Sequence, residues 1–420
     1  MNGLKLFAAL GPGDIVGARR SRLAGNPIKE TSIAFSEQLF SYCRLRGVKT
    51  LAISSNSRVD QLEDRGITVE NRPKVLPGGG IRFHFSQILY AFYLAARARQ
   101  FGAHVAVVDS GTTHYFALVL FRMLGIPVVV NLHNVLWPRG FPPRGVVPRT
   151  VRALNAWFFR YVAAGAIGVS PECKRQVLAE SRNRIRFCEY RCQFEPDGFK
   201  LSPPYKDGPF RIVFVGRAEV NKGILDILPI ARALRAVSPV PVIFELCGDG
   251  TALPDLREMI AQNGLADIVI AHGRLERENL LEIYANSHAA IVPTRSNFTE
   301  GMPQVCAEAV LSNLPVITSQ VANAFDVIGP ATIQTETDNI QSYVAAVLSL
   351  IETPSRYEDL RSECPRLSLQ FLDRSKSFPA AVDDLLSFVF KLAPLSDYHR
   401  LFVSDSNSSA PMYNEVTMLQ

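Results

Sequence analysis

Residues 289–318 read AAIVPTRSNFTEGMPQVCAEAVLSNLPVIT, and this stretch decides the fold class. One short apolar run, Ala289 to Val292, predicts a buried strand, and a second run, Pro315 to Thr318, predicts another. Between them Pro303 is placed like the first residue of a helix, a position at which proline is favoured. A strand, a helix and a strand in this order are typical of a parallel sheet covered by helices. The stretch therefore predicts an α/β unit of the doubly wound type.

The same alternation extends in both directions from this unit. Further strands are predicted in the second half at 210–215, 242–246, 268–271 and 331–333, with helices at 338–351 and 378–391. In the first half, strands are predicted at 5–10, 50–54, 105–108, 127–132 and 166–169, and helices at 32–45, 85–99 and 115–124. A further helix is predicted with Ser170 as its N-cap and Pro171 as its first residue. The sequence thus predicts two Rossmann-like, doubly wound α/β domains that face each other across a cleft.

A change in composition separates the two predicted domains. Residues 195–208 (EPDGFKLSPPYKDG) are rich in proline, glycine and charge, which is typical of a linker. We therefore expect an N-terminal domain over 1–200, a linker over 201–209 and a C-terminal domain over 210–375. A last helix over 376–395 is expected to pack back toward the N-terminal domain, and 396–420 are expected to be a disordered tail.

Composition and charge limit the class of protein. With 420 residues, 47% of them hydrophobic and 20% charged, the chain resembles soluble globular proteins with two or three cores. Residues 1–200 hold 28 Lys and Arg against 13 Asp and Glu, whereas the remainder is net negative. A basic half favours an anionic partner such as a nucleic-acid backbone, an anionic membrane surface or a phosphorylated substrate. No uncharged apolar run reaches about 18 residues, so any membrane contact is expected to be peripheral.

Missing motifs disfavour several chemistries. No G-x-G-x-x-G follows a strand, which disfavours nicotinamide or flavin binding, and no P-loop, nucleophile elbow or H-E-x-x-H occurs. The seven cysteines are odd in number and scattered, which favours a reducing compartment over a disulfide framework. Cys188 and Cys192 have near-ligand spacing, but no second pair follows them, so no metal site is expected. No aromatic and basic motif supports nucleic-acid binding, so no nucleic-acid partner is expected.

Loops after the predicted strands of the second half carry residues suited to one extended anion. Arg217 and Lys222 follow the strand at 210–215, where a guanidinium and an ammonium can hold one phosphate group. The helix predicted to start at Pro303 adds free backbone N–H groups and the positive end of its dipole. Glu300 precedes this helix, and Glu308 lies about 7 Å along its axis. Each feature alone is more often a surface charge or an ordinary turn, but together they fit a diphosphate flanked by a sugar and a ribose.

Together these motifs resemble the donor domain of glycosyltransferase family 4, whose members are retaining nucleotide-sugar transferases with two facing Rossmann-like domains, the GT-B fold. The resemblance spans roughly Arg211 to Pro330 and includes the E-x7-E spacing of that family. The segments that carry it are Gly216-Arg217 to Lys222-Gly223, Gly248-Asp249-Gly250, His272-Gly273, Glu300-Gly301-Met302-Pro303 to Glu308-Ala309, and Leu314-Pro315-Val316-Ile317. Three positions depart from the pattern, namely Asn134 in place of the usual Asp, Asn313 in place of a frequent Gly, and Ala322-Asn323 in place of a common Gly-Gly.

The resemblance implies a role for each matching residue. Arg217 and Lys222 resemble the pair that neutralises the donor diphosphate. Glu300 resembles the carboxylate that contacts the transferred sugar, and Glu308 the one that holds the ribose. His133, in Asn131-Leu132-His133-Asn134, resembles the histidine beside the donor sugar, so the expected catalytic residues are Arg217, Lys222, Glu300 and His133. The expected donor-binding residues are Gly11, Gly13, Gly216, Gly248, Gly250, His272, Gly273, Gly301, Met302, Gln304, Val305 and Glu308.

The resemblance also implies a reaction. It is the metal-independent, retaining transfer of a hexose-type sugar from a UDP- or GDP-sugar, without a cofactor, to a glycan or lipid-linked acceptor in polysaccharide or glycoconjugate biosynthesis. The C-terminal domain would bind the donor and the N-terminal domain the acceptor. The alternatives are a nucleotide-sugar epimerase of the same fold and a non-catalytic sugar-nucleotide binding protein. The expected location is cytoplasmic, with or without a peripheral contact to an anionic membrane at its inner face.

Two groups of large apolar residues bear on that membrane contact. Helical spacing predicts that most of their members are core residues. The alternative is a membrane contact or a site for a lipid-linked acceptor, because arginines lie close by in sequence. The first group is Phe83, Phe85, Ile88, Leu89, Phe92 and Tyr93, near Arg82, Arg97 and Arg99, and the second is Trp157, Phe158 and Phe159, near Arg152 and Arg160.

Overall fold

Short apolar runs along the chain form two separate parallel sheets, each covered by helices. The computed structural model describes residues 3–26, 30–75, 78–195, 198–395 and 398. This arrangement confirms the predicted fold class of two doubly wound α/β domains. The predicted tail over 396–420 lies outside the described residues, apart from Tyr398.

Within the described residues, the first sheet has eight strands in the order β3-β4-β2-β1-β5-β6-β7-β8. Its central strands are wholly buried, because helices cover both faces of a parallel sheet. All neighbours are parallel except β3, which runs antiparallel to β4. The strands are β1 (Lys5–Leu10), β2 (Lys49–Ser54), β3 (Asp60–Asp64), β4 (Ile67–Asn71), β5 (Val105–Asp109), β6 (Val128–Leu132), β7 (Gly165–Gly168) and β8 (Phe187–Glu189).

The hairpin of β3 and β4 is absent from the sequence prediction. Its turn is formed by Arg65 and Gly66, both with positive φ (48° and 83°), which matches the twist of the two strands. Strand β3 (DQLED) is charged and lies at the edge of the sheet, so it lacks the apolar run that predicts a buried strand.

Before β9, the described part of the chain forms six α-helices, and several of their bounds differ from the prediction. Helix α1 is absent from the sequence prediction, and α3 begins four residues earlier than predicted. The helix predicted at 115–124 is a 3-10 turn followed by a short α-helix. The N-cap predicted at Ser170 is confirmed, because its hydroxyl accepts a hydrogen bond from the backbone N–H of Cys173 at 3.3 Å. The helices are α1 (Ile15–Leu23), α2 (Phe35–Leu45), α3 (Ile81–Phe101), α4 (Val119–Met123), α5 (Val146–Tyr161) and α6 (Pro171–Ser181).

The second sheet has six parallel strands in the order β11-β10-β9-β12-β13-β14. All six strands predicted in this half are confirmed. They are β9 (Phe210–Val215), β10 (Val242–Cys247), β11 (Val269–Gly273), β12 (Ala289–Val292), β13 (Val316–Ser319) and β14 (Thr332–Thr335). The helices that follow β9 are α7 (Ile227–Val237), α8 (Leu253–Gln262), α9 (Arg277–Ala285), α10 (Gln304–Leu311), α11 (Phe325–Ile328), α12 (Ile340–Glu352), α13 (Pro354–Ser362), α14 (Cys364–Ser368) and α15 (Phe378–Phe390).

The last helix, α15, leaves the second sheet and packs on the first. A Cβ at Gly165 in β7 would lie 2.7 Å from a methyl carbon of Leu385, so the glycine permits close contact between helix and sheet. On α2, the Tyr42 hydroxyl donates to the buried carboxylate of Asp383 at 3.0 Å. The C-terminal helix therefore ties the two domains together.

The first group of large apolar residues is largely outside the core. Phe83, Phe85, Leu89 and Phe92 are exposed, with 57% of Phe85 accessible to solvent, so the prediction that most of this group is core is wrong. The reason is that α3 turns a different face inward, which carries Tyr90 and Leu94 together with small and polar residues, and leaves the phenylalanines of this group outside. In α5, Phe158 and Phe159 are buried and Trp157 is exposed. Among the described helices, none has the length and apolar character required to cross a bilayer.

Candidate active site

A cavity of about 580 Å³ lies where the carboxyl ends of strands from both sheets face each other. The first domain contributes loops after β1, β5 and β6, and the second contributes loops after β9 and β12 together with the start of α10. Of the sixteen residues predicted to act in catalysis or donor binding, eleven line the cavity. They are Gly11, Gly13, His133, Gly216, Arg217, Lys222, Glu300, Met302, Gln304, Val305 and Glu308.

The two predicted cations lie near the same aromatic ring. The Arg217 guanidinium carbon is 5.6 Å, and the Lys222 ammonium nitrogen 4.4 Å, from the centre of the Phe298 ring. Lys222 also forms a hydrogen-bonded ion pair with Glu300, whose side chain is only 9% exposed. The ring and the carboxylate hold two positive groups at one wall of the cavity, where each can meet an anion.

Glycine 223 permits this placement of Lys222. Its φ is +74°, and a Cβ there would lie 2.0 Å from the carbonyl oxygen of Pro293. Only a residue without a side chain therefore lets the loop after β9 pass so close to the end of β12. The contact places Lys222 next to the loop that carries Phe298 and Glu300.

Helix α10 begins at Gln304, and Pro303 is the N-cap residue with φ −63° and ψ 133°. The prediction that Pro303 is the first helical residue is therefore wrong by one position, because its ψ is that of an extended residue. The loop before the helix is fixed by Asn323, whose side-chain amide donates to the Glu300 carbonyl at 2.6 Å. Gln304 and Val305, the first two residues of α10, line the cavity, and their N–H groups belong to the helix end that has no acceptors within the helix.

Glu308 is almost completely buried and bonded on both carboxylate oxygens. The Thr31 hydroxyl, from the first domain, donates to Oε1, and the Tyr284 hydroxyl donates to Oε2 at 2.5 Å. A second contact between the domains joins Ser32 and Gln304 at 3.1 Å. Burial raises the pKa of Glu308, and the two hydrogen bonds lower it part of the way back. Sequence reasoning missed Thr31 and Tyr284, since nothing local in either segment indicates a contact with α10.

His133 is held from several sides by residues of the first domain. Its Nε2 lies 3.2 Å from Oδ2 of Asp109 and 2.9 Å from the amide nitrogen of Asn131. The Tyr190 hydroxyl lies 3.2 Å from Nδ1 and donates to Asn131 at 2.8 Å. Asp109 also lines the cavity and was missed by sequence reasoning. It places a carboxylate beside the histidine, although Asn134 occupies the position where the family usually has an aspartate.

Five predicted donor-binding residues do not line the cavity. A Cβ at Gly248 would lie 1.7 Å from the carbonyl oxygen of Gly216, and one at Gly250 would lie 2.5 Å from that of Ala218, so these glycines pack one strand-end loop on another. In the same way, a Cβ at Gly301 would lie 2.0 Å from the carbonyl oxygen of His133.

The other two of these five are His272 and Gly273, at the end of β11. The His272 ring nitrogen Nε2 is bonded to Glu245 at 2.7 Å, and Arg211 pairs with the same carboxylate at 2.5 Å. The His272 side chain therefore joins neighbouring strands. A role in donor binding for these five residues stays a prediction.

Comparison with known proteins places the two domains in related families. Residues 200–365 match the family model "Glycosyl transferases group 1", and residues 36–188 match "Glycosyl transferase 4-like domain". The two matches together cover about three quarters of the chain.

Among curated proteins, the alpha-D-kanosaminyltransferase of Streptomyces kanamyceticus is 24% identical over 240 residues, which are 53% of this chain and 61% of that protein. The glycogen synthase of Mycobacterium tuberculosis is 24% identical over 57% of this chain and 58% of its own. The chain therefore spans about three fifths of the length of the curated relatives that it matches.

Solved structures share the overall fold. Sucrose-phosphate synthase from Thermosynechococcus elongatus superposes with a TM-score of 0.67 at 13% identity, over 92% of this chain and 99% of that one. The Anabaena protein HepE, solved in complex with UDP, superposes with a TM-score of 0.60 at 14% identity over the same shares. With two facing parallel-sheet domains and a family match in each, this chain belongs to the group 1 glycosyltransferases of the GT-B fold.

Proposed function

We propose that this protein transfers a hexose-type sugar, with retention of its anomeric configuration, from a nucleotide diphosphate sugar to a glycan or lipid-linked acceptor. The observation that carries the proposal is one cavity lined by Arg217, Lys222, Glu300 and Glu308. Cations suit a diphosphate, and carboxylates suit the hydroxyl groups of the sugars on either side of it. UDP bound to Anabaena HepE supports a UDP-sugar as the first donor to test, and a GDP-sugar as the second.

In the proposed complex the donor replaces two contacts of the protein with its own. The diphosphate binds the Arg217 guanidinium, the Lys222 ammonium and the first N–H groups of α10. Lys222 then leaves Glu300, whose carboxylate becomes available to hydroxyls of the transferred sugar. The ribose reaches Glu308 where the Thr31 hydroxyl now donates.

The proposed chemistry is a displacement on one face of the sugar. The acceptor oxygen bonds to the anomeric carbon on the side from which the diphosphate oxygen departs, and the acceptor proton passes to that departing oxygen. Arg217, Lys222 and the dipole of α10 stabilise the charge that grows on the leaving group. These groups supply positive charge from the protein itself, so the proposal includes no metal ion.

We place the acceptor on the first domain, with a peripheral contact of the cytoplasmic protein to an anionic membrane. Support comes from the exposed aromatic residues Phe85 and Phe92 on α3 and from the excess of Lys and Arg in residues 1–200. Flotation with vesicles of phosphatidylglycerol and phosphatidylcholine tests this contact. The Phe85→Ser/Phe92→Ser variant should lose flotation, whereas Val237→Ser, an exposed position on the other domain, should keep it. Absence of flotation would argue for a soluble acceptor, and equal flotation on pure phosphatidylcholine would contradict the requirement for an anionic membrane.

The experiment that tests the proposed function proceeds from binding to turnover. Thermal shift with nucleoside diphosphates identifies the base, and NMR then follows the matching sugar donor with and without candidate acceptors. A new glycosidic bond of the donor's own anomeric configuration, insensitive to EDTA, supports the proposal. Isomerised donor formed without an acceptor would instead identify an epimerase. Nucleotide binding without any turnover would identify a binding protein, and an inverted product would refute the displacement on one face.

A further inference from the structure

A second cluster of titratable side chains lies outside the cavity, at the same edge of the first sheet. Lys74 follows β4, His114 follows β5, and His84 lies in the first turn of α3. The two histidine rings are stacked with their centres 5.0 Å apart, and Nδ1 of His84 lies 2.9 Å from Nε2 of His114. Phe116 stacks on His114 with ring centres 5.2 Å apart. All three titratable groups are half-buried.

Lys74 is a cation that has no counterion among the residues that the structure describes. Its ammonium donates to two neutral acceptors, Oε1 of Gln87 and the carbonyl of Gly111, each at 3.2 Å. Among the ion pairs of the described residues, none includes Lys74. Burial lowers its pKa, and no nearby carboxylate raises it again. A half-buried ammonium in this state is suited to an external anion.

The sequence around the cluster is rich in positive charge. From Arg72 to Pro171 the chain contains eleven Lys and Arg residues and one carboxylate, Asp109, which is buried beside His133. Burial, together with the nearby His84 and Lys74, lowers the pKa of His114 to about 4. A negatively charged group would therefore be attracted here, and protein carboxylates do not compete for the site.

A short chain of contacts connects the cluster to the cavity. The carbonyl of Gly111 accepts from Lys74, and the adjacent Ser110 hydroxyl accepts from the backbone N–H of His133 at 3.1 Å. Asp109 and His133 line the cavity on the side of the first domain. A molecule that reaches from the cavity toward Lys74 thus stays on the domain where we place the acceptor.

We propose that Lys74, His84 and His114 bind an oxyanion, phosphate or carboxylate, carried by the acceptor. This inference rests on the proposed function, since it names the chemistry of the acceptor for the same cavity. The ammonium supplies a point charge, and the stacked imidazoles supply the one N–H that their mutual Nδ1–Nε2 contact leaves free. Phe116 stacks on the His114 ring and fixes its orientation. An acceptor without a negative group would leave Lys74 unpaired and would bind more weakly.

The test uses the full chain with 13C-labelled histidine, because only seven histidine signals need to be assigned. Sodium phosphate and sodium acetate are titrated separately at constant ionic strength against sodium chloride, with UDP present to occupy the cavity. We expect a saturable shift of the His84 and His114 signals with phosphate, acetate or both. The anion that saturates them identifies the group that the acceptor carries. In Lys74→Gln the dissociation constant should rise about tenfold or more.

The matched control is Lys206→Gln, which removes an exposed lysine of the linker and should leave the titration unchanged. Shifts that do not saturate, shifts that chloride reproduces, or a Lys74→Gln variant that binds like the wild type would overturn the proposal. Thermal melting of both variants verifies that they fold. UDP binding, followed at His133, reports on the donor site separately, so failure of the oxyanion site and failure of the proposed function are distinguishable.

Discussion

Replacing Lys222 with methionine is expected to lower turnover by roughly 100- to 1000-fold, which is the typical effect of removing one preorganised group that stabilises a developing negative charge. Methionine keeps an unbranched chain against the Phe298 ring, which lies 4.4 Å from the Lys222 ammonium, and removes only the charge. In the proposed reaction that charge stabilises the departing diphosphate. The measurement is kcat for sugar transfer, with donor hydrolysis as a second readout if the acceptor is not yet known.

Fold stability should change much less than the rate. The substitution leaves the Glu300 carboxylate, 9% exposed, without its ion-pair partner, which costs about 1–3 kcal/mol of unfolding free energy. Thermal melting measures this loss. The double variant Lys222→Met/Glu300→Gln should recover much of the stability, because neither partner is then a buried unpaired charge, but it should recover none of the rate.

The control for this experiment is Lys206→Met, since Lys206 is exposed in the linker and should affect neither kcat nor melting. Near-normal transfer by Lys222→Met would refute the assigned role. Recovery of turnover in the double variant would also refute it, because the effect would then be a consequence of the buried carboxylate.

Three further predictions follow from other contacts. Thr31→Val should tighten UDP binding by about 2- to 10-fold in calorimetry, because the hydroxyl that now donates to Glu308 no longer competes with the ribose; weaker binding would contradict this. Gly248→Ala should lower the unfolding free energy by at least about 2 kcal/mol in denaturant titrations, because φ at this position is +145° and the new Cβ would meet the Gly216 carbonyl. The control Gly264→Ala, which has open space around its Cβ, should lower it by about 1 kcal/mol. Glu308→Gln should weaken UDP binding yet raise the melting temperature above that of the wild type at pH 7. Burial raises the pKa of this carboxyl above 4.5, so the buried charge lowers the stability of the wild type at neutral pH, and this loss disappears as pH falls through the raised pKa toward 4.5. A difference in melting temperature that widens at acid pH would refute the reasoning.

Local patterns predicted most of the strands, because a buried strand of a parallel sheet is a continuous apolar run. That pattern is present in β5 and β12, and each of these strands forms where it was predicted. It is absent from β3, whose charged edge position gives no such run. The exposed face of α3 was also mispredicted, because helical spacing indicates one face but not which face meets the sheet.

In the candidate site, too, local sequence patterns indicated some features and the folded structure alone showed others. The order of Arg217, Lys222, Glu300 and Glu308 along the chain could be recognised because each follows a strand or opens a helix, and the ends of parallel strands meet at one edge of a sheet. Their convergence on one cavity is a property of the folded chain. The functional roles of these residues remain predictions until the variants are measured.

By itself, the sequence determined the α/β class, the two domains and the family, since apolar runs, turn glycines and the spacing of charged residues are local or nearly local features. Only the tertiary structure decided that Thr31 contacts Glu308 across 277 residues, that Asp109 lies beside His133, and that Lys74 meets Gly111 without a carboxylate. These contacts depend on how two domains and several loops pack in three dimensions. No periodicity along the chain encodes such distances, because each contact is made by side chains whose neighbours in sequence give no information about their partners.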